Sequence, residues 1–317
     1  NGCLVGSEMC IRDRNNPSSL NLNDDVFFDK IKKLVISVDT YNEGIHFLNF
    51  NKPDLVIRKI IRSSISDIYA KGVKPNYFFL AGSGNKKHFT KKNMSLINKS
   101  LSNEQSKFNI KLSGGDTASS KNLSFTVISL GYSNKIVYRN KAKNGDDIYV
   151  TGNIGDSYIG LKALQNKIKL NSNQKKYFID KYYSPNLPIK FSLHLFKIAN
   201  CSMDVSDGLV IDLNKLINKQ NLGYLIDINK IPISNHLKQL IKHKKLKTLD
   251  YLFNGDDYQI LFTASKSKRK YIKTLSSKMN QKISIIGQIN TKSKSYLLDN
   301  RRIPIKYLKY QGYSHIF

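Results

Sequence analysis

The 317-residue chain has no tryptophan, three cysteines and, among 23 acidic residues, only three glutamates (Glu8, Glu43 and Glu104). Cys3, Cys10 and Cys201 are too few and too scattered for a disulfide framework or a cysteine metal site, and a reducing cytoplasm is the compartment expected. No apolar run approaches the roughly 18–20 residues that span a bilayer, so no membrane partner is expected. The start of the chain shows no secretory signal pattern. Arginine is scarce, supplying eight of the 52 basic residues.

Positive charge is abundant. The formal net charge is +29 and the isoelectric point about 9.8. The lysines are scattered, as at Lys86-Lys87, Lys175-Lys176 and Lys266 to Lys270. Specific nucleic-acid surfaces rely on arginine forks and stacked aromatics. Lysine, asparagine and isoleucine are also what an AT-rich genome over-supplies. The charge therefore reads as a solvated surface that draws anionic substrates, with no specific nucleic acid as partner. A basic nucleic-acid-binding protein is the alternative from a different class. Residues 1–14 differ from the rest: they hold two of the cysteines, two of the arginines and no lysine. They read as a non-native artefact segment ahead of the natural chain.

The few carboxylates are placed in short turn-prone clusters beside glycine and serine. These are Asp24-Asp25, Ser37-Val38-Asp39, Ser66-Asp67, Gly114-Gly115-Asp116, Asp204-Val205-Ser206-Asp207-Gly208 and Gly255-Asp256-Asp257. Asp and Gly are ordinary turn residues, which explains any one cluster better than it explains six. Asp holds its oxygens close to the backbone, and Mg²⁺ takes oxygen ligands in a near-octahedral cage. Two carboxylates about 5 Å apart repel by roughly 3 kcal/mol at an effective dielectric of 20. A convergent set therefore implies several cations bridging a polyphosphate. Gly114 and Gly115 let the backbone approach phosphate oxygens, and Ser206-Asp207 precede a helix whose N-terminus suits anions. There is no GxxxxGKS/T loop and no protein-kinase signature.

The periodicity predicts a strand over 34–39 that delivers Ser37 and Asp39 to its C-terminal end, then a helix over 53–71 stopped by Gly72. Asp67 falls on the azimuth of Ile60, on the apolar face. Strands follow over 77–80, 108–112 and 123–132, with a polar helix over 91–106. Beyond residue 140 helices (155–166, 172–183, 189–199, 207–219, 234–242, 266–277) alternate with strands (147–151, 201–204, 223–228, 258–264, 283–289). The fold class expected is α+β, divided into 15–140 and 141–317.

Eight ordered motifs carry a family resemblance: DD at Asp24-Asp25; SVDxxxEGxHF at 37–47; SDIxAxG at 66–72; GGDT at 114–117; GDxIYVTGxxGDSxxGL at 145–161; MDxSDGL at 203–209; GDDYxxLFT at 255–263; and YxGY at 310–313. With them the chain resembles the thiamine-monophosphate kinase family of the aminoimidazole ribonucleotide synthetase-like superfamily. The resemblance implies an N-terminal sheet domain that binds ATP and Mg²⁺ and pairs in a homodimer, with a C-terminal α+β domain. It implies ATP-dependent phosphorylation of thiamine monophosphate to thiamine diphosphate, with several Mg²⁺ ions and no general base. Asp24, Ser37, Asp39, Asp67, Asp116, Asp204 and Asp207 fall on metal-ligand positions. Gly115, Asp116, Arg139 and Ser206 fall on nucleotide positions, and His46, Asp256 and Tyr310 on positions that meet the thiamine substrate. Three departures stand out: Leu22-Asn23 ahead of the paired aspartates, Asp256 where the family has Glu, and an altered segment over 184–190. Aminoimidazole ribonucleotide synthetase is the alternative within the superfamily.

Overall fold

The computed structural model describes residues 17–243, 248–291, 294–299, 301, 303 and 304. Residues 1–14 and the motif containing Tyr310 lie outside them. Two six-stranded sheets organise the chain. The first contains β1 (Phe27–Asp29), β2 (Leu34–Asn42), β3 (Pro75–Gly84), β4 (Lys111–Leu112), β5 (Thr117–Ser119) and β6 (Ser124–Tyr132). Their order is β1-β2-β6-β3-β4, with β5 alongside β3. β4 and β5 both run parallel to β3, and residues 113–116 separate them. The GGDT turn therefore interrupts an edge strand.

Helix α1 (Pro53–Ala70) is the centre of the molecule. Pro53 presets its first turn and Asp54 complements the helix dipole there. Gly72, at φ +78°, ends it. Fourteen of its 18 residues are buried. Val56, Ile57, Ile60, Ile61 and Ile65 join Phe78, Phe125 and Val127 of the first sheet in one core. Lys59, Arg62, Ser63 and Ser66 are buried as well, because the C-terminal half of the chain covers them. Helix α2 (Lys91–Phe108) packs beside α1, where the Arg62 guanidinium forks onto Glu104 at 2.7 and 3.0 Å.

The second sheet contains β7 (Asp147–Thr151), β8 (Cys201–Asp204), β9 (Gly223–Asp227), β10 (Ile260–Ala264), β11 (Ile283–Asn290) and β12 (Tyr296–Leu298), in the order β12-β9-β11-β7-β10-β8. Every residue of β7 and β10 is buried, so both faces of the sheet are covered. Ile148 and Val150 face a core built with α3 (Asp156–Leu164), α7 (Leu209–Leu216) and α8 (Asn235–Lys242). Tyr149 and Phe262 are cross-strand partners on the opposite face and stack at 4.9 Å. They meet Phe191 of α5 (Ile189–Ser192), Leu195 of α6 (Leu195–Ile198) and Ile272 of α10 (Arg269–Lys278). Helices α4 (Ser172–Tyr183) and α9 (Thr248–Leu252) complete the described set. No described helix is long and apolar enough to cross a membrane.

The structure differs from the sequence expectation at several places. β2 continues to Asn42, paired with β6 through Ser124, so Ser37 and Asp39 sit in mid-strand rather than at its end. The strand expected over 108–112 shrinks to two residues, because α2 runs to Phe108 and Asn109 caps it in the left-handed conformation (φ 51°). The helix expected over 189–199 is two short turns. That expected from 207 begins at Leu209, after Gly208 at φ +134°.

The Arg62–Glu104 pair lies in a dry seam, and Arg58 approaches the same carboxylate at 3.6 Å. Glu104→Ala strands two cations there. A loss of about 3–5 kcal/mol in urea unfolding is expected, and a loss under about 1 kcal/mol would contradict this account of the α1–α2 seam.

Candidate active site

The inward face of β2, the sheet-facing side of α1 and the end of β8 meet at one place. Ser37 Oγ donates to Asp67 Oδ2 at 2.6 Å and lies 3.3 Å from Asp39 Oδ2. Ser66, one residue before Asp67, donates a short hydrogen bond to Asp204 Oδ2. None of Asp39, Asp67 and Asp204 forms an ion pair among the described residues. Burial pushes Asp39 up to about 6, against hydrogen bonds from Ser64 and Ser37. Burial, with the charges of Asp25 and Asp39, pushes Asp204 up to about 7. Asp67 is raised well above the usual range by burial and by Asp39, Asp204 and Asp25. Carboxyl oxygens are thus gathered with no ion-paired cation among the described residues.

The paired aspartates next to them are built differently. The Lys71 ammonium lies 2.6 Å from Asp24 Oδ1 and 2.6 Å from Asp25 Oδ2, and donates to the Ser202 carbonyl at 3.0 Å. Arg139 donates from Nη1 to Asp25 at 2.9 Å and from its backbone N–H to Asp24 Oδ2 at 2.9 Å. Its Nε and Nη2 go to the carbonyl of Lys215. Burial opposes the charge of Asp25, but Lys71 and Arg139 outweigh it and hold that carboxyl below its ordinary value.

Ser206, Asp207 and Asp256 are brought together by two turns in backbone contact. Asp256 N–H donates to the Ser206 carbonyl and Tyr258 N–H to that of Val205, both at 2.8 Å. A Cβ on Gly255 would fall 1.7 Å from the Ser206 carbonyl oxygen, so only glycine permits this approach. Asp207 is paired with Lys215. Two N–H groups in the turn ahead of α7 are already used. Those of Asp207 and Gly208 donate to the buried Asp212 carboxylate at 2.9 and 3.0 Å.

His46 accepts from the Asn42 N–H through Nδ1 at 2.9 Å and packs edge-on against Tyr41. Its carbonyl accepts from Tyr182 OH at 3.4 Å. The buried Lys59 ammonium sits 3.8 Å above the Tyr182 ring and 2.8 Å from Asp256. Asp256 also accepts from Tyr258 OH at 2.8 Å. The two residues expected to meet the same substrate are therefore connected through Tyr182 and Lys59.

Gly115 and Asp116 make no described contact with the trio Asp39, Asp67 and Asp204. No described hydrogen bond or ion pair joins Asp116 to it; Asp116 is exposed and accepts from Thr117 N–H at 2.8 Å. A Cβ on Gly115 would lie 1.9 Å from the Leu80 carbonyl oxygen. Together they edge a cavity of about 460 Å³ whose other walls include Phe89, Met94, Ile97 and Phe125. No described group of three or more His, Cys, Asp or Glu closes to metal-binding spacing. Sequence reasoning missed Lys59, Lys71, Lys215, Asp212 and Ser66; only the placement of Lys71 and Ser66 inside the SDIxAxG motif gave a signal.

Two family models match: "AIR synthase related protein, N-terminal domain" over residues 23–132 and its C-terminal counterpart over 143–300. The thiamine-monophosphate kinase of Buchnera aphidicola from Schizaphis graminum is 33% identical over 93% of this chain and 91% of its own length. The chain belongs to the AIR synthase related family, among the thiamine-monophosphate kinases. A ThiL structure "complexed with AMPPCP and TMP" superposes with a TM-score of 0.81 at 27% identity, covering 93% of this chain and 91% of that one. The thiamine-monophosphate kinase structure from Stenotrophomonas maltophilia gives a TM-score of 0.77 at 25% identity, with coverage of 92% and 96%. The two-domain α+β fold expected from the sequence is the fold of this family.

The uncompensated trio makes the metal-free protein sensitive to pH. In the unfolded chain Asp39 ionises near 3.8; in the folded chain it keeps its proton to about 6. Its penalty on folding is absent below 3.8 and grows to completion as pH rises through 6. With a chelator present, Asp39→Asn should melt several degrees above the parent at pH 7.5, on the order of 1–3 kcal/mol, with the difference closing near pH 4. An unchanged or lower melting temperature at pH 7.5 would show that the trio is not strained.

Proposed function

We propose that this protein transfers the γ-phosphoryl group of ATP directly to thiamine monophosphate, yielding thiamine diphosphate and ADP, with Mg²⁺ at the junction of the two sheets. The observation that carries this reading is the trio Asp39, Asp67 and Asp204, none of which forms an ion pair among the described residues, in a chain related along most of its length to thiamine-monophosphate kinases. The donor set is oxygen only, which fits a hard divalent cation completed by substrate phosphates. Asp39, Asp67 and Asp204 would hold the metal, with Ser37, Asp116 and Asp207 as further oxygen donors. Bound there, Mg²⁺ would neutralise phosphate charge as anion meets anion.

The residues supply position. The nucleophile is an oxygen of the substrate phosphate, already anionic, so no side chain has to remove a proton. It attacks the γ-phosphorus as the bond to the β–γ bridging oxygen breaks. Close backbone approach at Gly114-Gly115 suits a phosphate, and the neighbouring apolar cavity suits an adenine ring. The Arg139 fork is engaged by Asp25 and Lys215, so its role toward nucleotide is to fix the floor of the site. His46 and Asp256, joined through Tyr182 and Lys59, face the thiamine end. Asp256 reaches one methylene less than Glu, and Lys59 braces it.

The deciding assay offers ATP and Mg²⁺ with thiamine monophosphate, thiamine or aminoimidazole precursors in parallel. Only thiamine monophosphate should be consumed; turnover of an aminoimidazole precursor instead would assign the other superfamily activity. His46→Ala and Asp256→Ala should each raise KM for thiamine monophosphate about tenfold or more, leaving KM for ATP within about twofold. Either variant raising KM for ATP alone would contradict the assignment.

We also propose a cytoplasmic homodimer formed through the first sheet. Its outward face carries Val38, Tyr132 and Tyr77, with exposures of 62%, 55% and 39%. Apolar side chains on the open face of a sheet are a protein-interaction signature. Val38→Asp should convert a dimer to a monomer in light scattering. A monomeric parent would remove this part of the proposal.

A further inference from the structure

The acidic centre is compensated in two different ways, and the difference falls on Lys71. This lysine is the C-cap of α1 and is fully buried, with the side chain 0% exposed. An ammonium has three protons to donate. Here its three partners are Asp24 Oδ1, Asp25 Oδ2 and the Ser202 carbonyl, at 2.6, 2.6 and 3.0 Å. The remaining oxygens of the pair are also engaged. Asp24 Oδ2 takes the Arg139 N–H, Asp24 Oδ1 also takes the Asp25 N–H, and Asp25 Oδ1 takes the Arg139 guanidinium. Two carboxylates thus face two fixed cations, and every carboxylate oxygen has a donor. The trio a strand away has three carboxylates and, among the described residues, no ion-paired cation.

We infer that the Lys71 ammonium is a resident counter-cation that takes the place of a metal ion at Asp24-Asp25, so that this pair fastens the start of the chain to α1 and β8 rather than ligating Mg²⁺. The role expected for Asp24 from the family resemblance is then filled from inside the protein. A Mg²⁺ ion at the same oxygens would have to displace a covalently tethered ammonium whose partners are preorganised. Lysine at a helix C-terminus is also favoured by the helix dipole, so α1 holds the charge where the pair needs it.

The inference deepens the proposed metal-dependent reaction but is tested without turnover. Bound Mn²⁺ per chain is counted by electron paramagnetic resonance for the intact protein, with and without a non-hydrolysable ATP analogue. Asp24→Asn should retain the parent's number of bound Mn²⁺, whereas Asp39→Asn should lose at least one. Lys71→Met should gain one Mn²⁺ per chain, and Mn²⁺ should raise its melting temperature more than the parent's. If Asp24→Asn loses a bound ion, or folded Lys71→Met gains none, the inference is overturned. Should Lys71→Met fail to fold even with Mn²⁺, the Asp24→Asn count decides alone. A parent that binds no Mn²⁺ beside a Lys71→Met variant that binds one would sink the metal-dependent reading and leave this inference standing.

Discussion

Carboxylates packed against a buried helix must be compensated, and this one requirement shapes the junction between the two sheets. An uncompensated charge in a dry seam costs several kcal/mol. Where the described structure supplies a tethered cation, the acid is fixed: Lys71 and Arg139 hold Asp24 and Asp25, Lys59 holds Asp256, and Lys215 holds Asp207. Where it supplies only hydroxyls, at Asp39, Asp67 and Asp204, the acids are pushed toward protonation. The second group is where a mobile cation gains most by binding, because it relieves repulsion that folding alone leaves in place. The fully engaged pair Asp24-Asp25 thus reads as scaffold, and the trio without an ion-paired partner reads as site.

Helix α1 makes that division possible. One side is an isoleucine stripe that fastens it to the first sheet. The other side presents Lys59, Ser63 and Ser66 to the second half of the chain, and its end presents Lys71. A helix buried on one side only would leave these polar groups in water, where their hydrogen bonds count for little. Covered by α4, β8 and the turn at Gly255, they become rigid. The glycines of the paired turns belong to the same argument. Gly255 lets the Asp256 loop lie directly on Ser206, which joins Asp256 to the SDG turn.

The elements with strong periodicity were legible from the sequence. α1, α4, β6, β7, β8 and β10 lie within a few residues of the expected bounds, because apolar spacing and capping residues agree there. The three-residue strands β1, β5 and β12 carry too little pattern to be seen. Within the site, the aspartates were legible because acids are scarce and sit in motifs. Their partners were not. Lys71 and Lys59 are two lysines among 44, and nothing local distinguishes a buried lysine from a solvated one. Their meaning comes from partners distant in sequence: Asp24, Asp25 and Ser202 for Lys71, and Tyr182 and Asp256 for Lys59. The same limit explains Arg139: the resemblance placed it at the nucleotide, but only the fold shows that its fork is spent on Asp25 and the Lys215 carbonyl.

The composition acquires a physical meaning once burial is known. Among the described residues only Lys59, Arg62 and Lys71 of the basic side chains are buried, whereas Asp146, Asp147, Asp156, Asp204, Asp212, Asp257 and Glu104 are. Among the described residues burial thus falls more often on acids than on the far more numerous lysines. At long range a polyphosphate meets the positive exterior, which a net charge of +29 makes strongly attractive at low salt. At short range it meets carboxylates and is repelled unless a divalent cation travels with it. A nucleotide carrying Mg²⁺ satisfies both conditions, and a bare anion satisfies only the first. In the proposed reaction, selection for the metal-bound nucleotide would follow from where the charges are buried, before any residue touches the base or the phosphates.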